Sequence, residues 1–211
     1  TIKVLNPKEV VFEGGRELEL DAVSEVPRYY VCNAYGVCGI YSAPGTAVKE
    51  AYDTSGIVTN DRGVTVWLKG NRVSRNQIMA IKEESVTEQK NSLAVCLDNI
   101  LRHAGITRNT EYDLAQGKTA TTILSENMTG VQVLDLSGCT LDAVLYYVNQ
   151  DIPVLAILED GEAVLVTGFN EFNVVIMEPA TGKLYKKGMN DATAWFAENG
   201  NHFITYMRTE N

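Results

Sequence analysis

Between Ile152 and Met189 the chain sets four short apolar runs, IPVLAIL, EAVLVTGF, NVVIMEP and KLYKKGM, one after another with only DG, NE and ATG turn sequences between them. Connections this short leave no room for a crossover helix, so neighbouring runs must pair as an antiparallel meander. One more run, HFITYM, follows a helical stretch from Ala192 to Glu198 that stops at Gly200.

Upstream of the meander the period changes. Leu93, Cys96, Leu97, Ile100, Leu101 and Ala104 recur at helical spacing, with Ser92 available as N-cap and Gly105 as terminator. This predicts an amphipathic helix carrying Cys96 on its apolar stripe. Shorter helices are expected over Asn109 to Gln116 and Thr119 to Asn127, and another from a Thr140 cap through Leu141, Val144, Leu145 and Val148. Helices first and an antiparallel sheet afterwards make an α+β layout.

The first eighty or so residues read as strands around one helix. The strand-like runs are KVLNPKEVVF, RELELDAV, RYYVCNAYG, VCGIY, GIVTN and GVTVWLKG. The helix, near Ala43 to Tyr52, has Pro44 in its first turn, Ala47, Val48, Ala51 and Tyr52 on one face, and Gly56 as a stop. Tyr29, Tyr30, Tyr35, Tyr41 and Trp67 can form a binding face, although aromatics at strand spacing more often serve as core and cross-strand pairs. The polar stretch Lys82 to Asn91 separates this half from the rest. The expected organisation is a small β-rich α+β module over residues 1–83 and a second domain over 84–211, a division that 211 residues at 45% hydrophobic can sustain.

A formal net charge of -9 argues against nucleic acid, because phosphate binding needs clustered Lys and Arg, and the basic residues here are scattered. No run approaches the roughly 18 apolar residues needed to span a bilayer, and TIKVLNPKEV lacks a signal-peptide layout, so a soluble chain is expected. The start at Thr1 without an initiator Met gives the expectation of a piece of something longer. The four cysteines show no CxxC zinc spacing. Cys32 and Cys38 flank a turn in which Gly36 can take the left-handed position of a three-residue hairpin loop, which sets them opposite each other. A cross-strand disulfide, which would mean an oxidising compartment, and two free thiols packed as small apolar groups both fit that register. Cys139, in SGCT ahead of a helix, can have its pKa lowered by the helix N-terminus, although a loop thiol without a base is usually inert.

SLAVCLDNILRHAGI, then LDAVLYYVNQDIPVLAIL, then EAVLVTGFNEFNVVIMEPATGK, taken in order, resemble the papain-like cysteine peptidases of family thirty-nine, the bacteriocin-processing, double-glycine type. That family has a helix opening with Gln, a short gap and Cys-Gly and ending in glycine. A helix and a proline-headed strand follow, then a strand running from His to Gly-aromatic and another ending in Asp-Pro. The resemblance covers about the last 125 residues. It implies a papain-like domain of helices packed on an antiparallel sheet, with Cys96 at the nucleophile position, Glu162 at the histidine, Glu178 at the aspartate and Gln89 at the oxyanion position. Gly168, Phe169 and Pro179 are kept. Leu97 replaces the glycine after the cysteine, and Gln89 stands seven residues before Cys96, one more than is usual in the family.

A cysteine peptidase needs a thiolate, and a neighbouring imidazole both lowers the thiol pKa and protonates the leaving amine. A carboxylate at the position of Glu162 is about four pKa units too weak a base for a thiol near 8.5, and its charge raises the thiol further. The chain's two histidines offer little remedy. His103 lies two helical turns from Cys96, roughly 10 Å along the axis, and His202 begins the last strand. Cys96 without a base reads first as a core residue on an apolar helix face.

The expectation is a catalytically degenerate peptidase-like module that binds a peptide or protein, or serves as a structural part of a larger secreted or cell-surface protein. The alternative is an active cysteine peptidase or acyl-transfer enzyme with Cys96 as nucleophile. No cofactor is expected. A third reading concerns Glu162 and Glu178, which a hairpin turning at Asn170 and Glu171 would bring close together, with Glu162 opposite Pro179. Either one of such a pair has a raised pKa, or a cation such as Ca²⁺ sits nearby, or both point to solvent.

Overall fold

The computed structural model describes residues 26–70 and 91–209, together with three strands near the N-terminus. Those three, β1 (Ile2–Asn6), β2 (Glu9–Phe12) and β3 (Glu17–Leu18), pair in that order as an antiparallel sheet. The sequence run KVLNPKEVVF therefore contributes two antiparallel strands. The expected boundary at 83/84 lies outside the described residues.

Residues 29 to 68 hold β4 (Tyr29–Cys32), β5 (Cys38–Tyr41), α1 (Pro44–Thr54), β6 (Ile57–Asn60) and β7 (Thr65–Leu68), as the sequence predicts. The four strands form an antiparallel sheet ordered β5-β4-β6-β7. Cys32 faces Cys38 across the β4–β5 hairpin, and the two are joined as a disulfide with their Cα atoms 4.2 Å apart. The three-residue loop expected there is present, closed by the Asn33 N–H donating to the Val37 carbonyl, with Gly36 at φ 75°. Of the aromatics in this half, Tyr29 and Trp67 are core, Tyr30 and Tyr41 are half-buried, and Tyr35 stands exposed at the loop tip.

The remainder contains α2 (Ser92–His103), α3 (Glu111–Ala115), α4 (Ala120–Asn127), β8 (Val131–Asp135), α5 (Leu141–Val148), β9 (Val154–Ile157), β10 (Ala163–Phe169), β11 (Asn173–Glu178), β12 (Lys183–Gly188), α6 (Met189–Glu198) and β13 (His202–Arg208). The meander is present as β9 to β12. The six-stranded sheet runs β12-β11-β10-β9-β13-β8, so the last strand inserts beside β9 and carries β8 at the edge. β8 is a strand that the local sequence pattern does not announce. All seven residues of β10 are buried. Alternate side chains of a strand point to opposite faces, so the sheet must be covered on both sides there. α2 and α5 both pack against this strand, while α6 covers β11 and β12.

One position corrects the expected register. The β10–β11 turn centres on Glu171 and Phe172, because Asn170 Oδ1 accepts the N–H groups of both Phe172 and Asn173. Below it Thr167 is an extra residue, with pairing shifted between Val166 and Gly168, and its buried hydroxyl donates to the Val175 carbonyl at 3.4 Å. Leu165 then faces Met177, so Glu162 does not stand opposite Pro179.

The 29–68 segment shares a hydrophobic core with the large sheet and α5. Polar side chains fix the contact. Trp67 Nε1 donates to the Ala143 carbonyl at 3.0 Å, the Tyr147 hydroxyl to the Val66 carbonyl at 3.0 Å, and the Tyr52 hydroxyl to Asp142 at 3.0 Å. Gln132 on β8 donates to the Tyr29 hydroxyl and accepts from Asn60 Nδ2. At Gly45 the approach is closest, since a Cβ there would meet the Ser137 carbonyl oxygen at 3.0 Å and that of Asp135 at 3.2 Å. Only glycine fits without displacement.

On α3, buried Asp113 accepts from Arg108 at 3.1 Å and sits 3.3 Å from Lys118, which also pairs with Glu126. The Arg108 hydrogen bonds, helped by those from Lys118, hold the Asp113 carboxyl below its ordinary range against the opposing effect of burial. A carboxyl with a lowered folded pKa stabilises above the unfolded value, about 3.9, and that contribution fades as pH falls through the folded pKa. Asp113→Asn should therefore lower the melting temperature at neutral pH and have a smaller effect near pH 2, as thermal melts across this range would show.

Candidate functional site

The opening of α2 meets the start of β10. Asn91 caps the helix, its Oδ1 accepting the N–H groups of Leu93 and Ala94 at 2.9 and 3.3 Å. Asn precedes Ser92 at the helix entrance and takes the capping role expected of the serine. That leaves the half-buried Ser92 hydroxyl for another partner. Its Oγ accepts the N–H of Ala163, the first residue of β10, at 3.0 Å. The tight turn before Ala163 is held by the Leu158 N–H donating to the Glu162 carbonyl at 2.7 Å and the Glu162 N–H to Asp160 Oδ1 at 3.0 Å. Glu162 is thus presented, exposed, directly beside the residue that Ser92 holds.

Cys96 lies four residues further into the helix, on the same face as Ser92 and about 6 Å along the axis. It is fully buried. Burial, and after it the negative charge of Glu162, push its thiol far above the ordinary range. The fold therefore brings Glu162 within electrostatic reach of Cys96, and the effect is to keep the sulfur protonated.

The other sequence candidates lie apart from this junction. Cys139 is buried and donates to the Gly45 carbonyl at 3.3 Å. Burial, reinforced by Asp135, pushes its pKa up to about 12, so the lowering expected from a helix N-terminus is overridden by desolvation. His103 Nε2 lies 2.9 Å from the Asp151 carbonyl; a carbonyl only accepts, so this nitrogen carries a proton and props the far end of α2. His202 pairs with Ile157, which also faces Ala163 from the other side, placing its backbone two strands, about 10 Å, from the start of β10. Its ring lies against Gly200, where a Cβ would meet Nε2 at 2.7 Å. Glu178 accepts from the Thr181 hydroxyl at 2.7 Å in the β11–β12 turn. Gln89 lies outside the described residues. Among the described residues no group of three or more His, Cys, Asp or Glu side chains is placed to hold a metal ion, and no helix is long and apolar enough to cross a membrane.

Ser92 is the residue that sequence reasoning misassigned. The signal was available in the pair Asn91-Ser92, where two capping residues compete and the outer one wins, freeing the inner hydroxyl for a tertiary contact.

The fold is α+β and papain-like, in a C39-like arrangement. A crystal structure from Bacillus anthracis, described as a C39-like peptidase, superposes with a TM-score of 0.52 at 12% identity, covering 65% of this chain and all of that one. Identity this low carries the fold alone. No family model matches the chain, and no curated protein does.

Two measurements probe this junction. Iodoacetamide should leave Cys96 and Cys139 unmodified in the native protein from about pH 5 to pH 9 and label both once it is unfolded, as read by mass spectrometry. Ser92→Ala, which strips the Ala163 N–H of its acceptor, should cost about 1–2 kcal/mol in urea unfolding.

Proposed function

We propose that this chain is a peptidase-like module of the family-thirty-nine type that does not catalyse and instead binds a peptide or protein segment. The observation that supports the reading is the α2–β10 junction. The opening of α2 carries Ser92 with its oxygen engaged by the Ala163 N–H, while Cys96, which the resemblance puts at the nucleophile position, is fully buried one turn deeper. A serine or cysteine nucleophile needs a base within hydrogen-bond reach. The group presented beside Ala163 is the Glu162 carboxylate, which is too weak a base for either and repels the anion each would become. The alternative of an active enzyme with Cys96 as nucleophile requires an accessible, acidified thiol, and burial works against both requirements.

The Cys32–Cys38 disulfide supports placement in an oxidising compartment, and with it a secreted or cell-surface parent. Peptide ligands would lie along the surface where the first turn of α2 meets the Glu162 turn, the counterpart of the substrate cleft.

The test is a panel of unstructured peptides, including glycine-rich ones, titrated by calorimetry and followed in parallel by mass spectrometry for cleavage. Saturable binding with intact peptides, weakened by Glu162→Lys, is the expected result. Specific cleavage abolished by Cys96→Ala or Ser92→Ala would overturn the reading.

A further inference from the structure

β12 closes one end of the six-stranded sheet, and among the described residues no strand pairs with its outer side. The opposite end, β8, is covered, for α1 packs against it and its Gln132 bonds to Tyr29 and Asn60. Which backbone groups β12 leaves open follows from its ladder with β11. The Met189 N–H donates to the Phe172 carbonyl at 2.7 Å, so that pair is hydrogen-bonded, and bonded and non-bonded pairs alternate along an antiparallel ladder. Val174 with Lys187, Ile176 with Tyr185 and Glu178 with Lys183 are therefore bonded pairs, while Leu184 and Lys186 turn their N–H and C=O groups away from β11. These groups are spaced to receive one more antiparallel strand.

The side chains of this edge set what that strand can be. Lys183, Lys186 and Lys187 fall within five residues of one another on a chain whose formal net charge is -9. Among the described residues none of the three forms an ion pair. Glu178, across the ladder from Lys183, is bonded to the Thr181 hydroxyl. The Lys187 ammonium lies 5.1 Å from the centre of the Trp195 ring, which holds it in place without neutralising its charge. The strand period puts Lys183, Tyr185 and Lys187 on one face and Leu184 and Lys186 on the other. Lysines on an edge strand bar unwanted pairing, and here they act against a second copy. Two β12 strands joined through Leu184 and Lys186 would set Lys183 of each opposite Lys187 of the other, like charge on like. The same arrangement favours a strand that carries carboxylates.

We propose that the β12 edge binds an extended, acidic segment of another protein as an additional antiparallel strand. Counted along five residues of the guest, the first, second and fifth face Lys187, Lys186 and Lys183 and are acidic, while the third and fourth face Tyr185 and Leu184 and are aromatic or apolar. Charge draws the segment in, and the main-chain bonds to Leu184 and Lys186 set its register. Nucleic acid and polyphosphate can meet the lysines but cannot complete the ladder. This edge is separate from the junction of α2 and β10, so the inference can fail or succeed whatever that site does.

The test is titration of the full chain with the acetylated and amidated heptapeptide Thr-Glu-Glu-Tyr-Val-Glu-Thr, by calorimetry and by amide hydrogen exchange. Saturable binding is expected, with new protection at the Leu184 and Lys186 amides and little change at Tyr185 and Lys187, whose amides β11 already holds. The same peptide N-methylated at its second Glu and at Val keeps every charge and loses the two donors that face the edge, and should bind about tenfold more weakly. Its counterpart Thr-Lys-Lys-Tyr-Val-Lys-Thr should not bind. Lys183→Glu and Lys187→Glu together should weaken the acidic peptide by about tenfold. Thermal melts check that this variant folds, and the comparison of plain with N-methylated peptide is made on the unaltered protein and stands without it. No saturable binding, or equal binding of the N-methylated peptide, would overturn the proposal. So would protection confined to the amides around Ser92 and Glu162, which would assign the peptide to the α2 site instead.

Discussion

The burial of β10 organises the molecule. A strand whose seven residues are all buried needs apolar cover above and below, and its flanking strands must complete its hydrogen bonds. β9 and β11 supply the bonds, and α2 and α5 pack against the faces. The candidate site is built on that strand. Its first residue donates its N–H to Ser92 Oγ, the turn before it presents Glu162, and the helix α5 packed against it bears Asp142, Tyr146 and Asn149, which line a pocket with Tyr52 and Trp67.

The same constraint explains why the chemistry of Cys96 is closed off. A thiol facing the most buried strand of a sheet pays for ionisation twice, through lost hydration and through the carboxylate at that strand's entrance. Peptidases need the reverse arrangement, with the sulfur at a helix opening and a cation-forming base across from it. Here the helix opening is occupied by a residue whose oxygen serves as an acceptor for backbone, a structural task that fixes the helix to the sheet.

Much of this was legible in the sequence because it was written locally. The meander follows from short turns, the α2 stripe from its period, and the β4–β5 hairpin from Gly36 between two cysteines. What escaped was decided by partners distant in the chain. β8 is a strand because β13 returns from some seventy residues later to pair with it, and VQVLD alternates too weakly to declare itself. The Thr167 bulge depends on a hydroxyl reaching Val175 across the hairpin. Cys139 sits ahead of a helix, where a lowered pKa was a fair expectation, but the packing of α1 over it removes the water that an anion would need. Whether Cys32 and Cys38 bond could not be decided from register alone, since the same register also suits two free thiols.

Gly45 and Tyr52 sit on one rigid helix, seven residues and roughly 10 Å apart. The first is wedged against the carbonyls of Asp135 and Ser137 at the end of β8, with no room for a methyl group, and the second lines a pocket with Trp67 and Tyr146. α1 therefore works as a lever whose short arm is clamped. Any residue larger than glycine at the clamp would have to displace the helix or the carbonyls it meets, and a shift of the helix would arrive at its other end as a change in the width of that pocket.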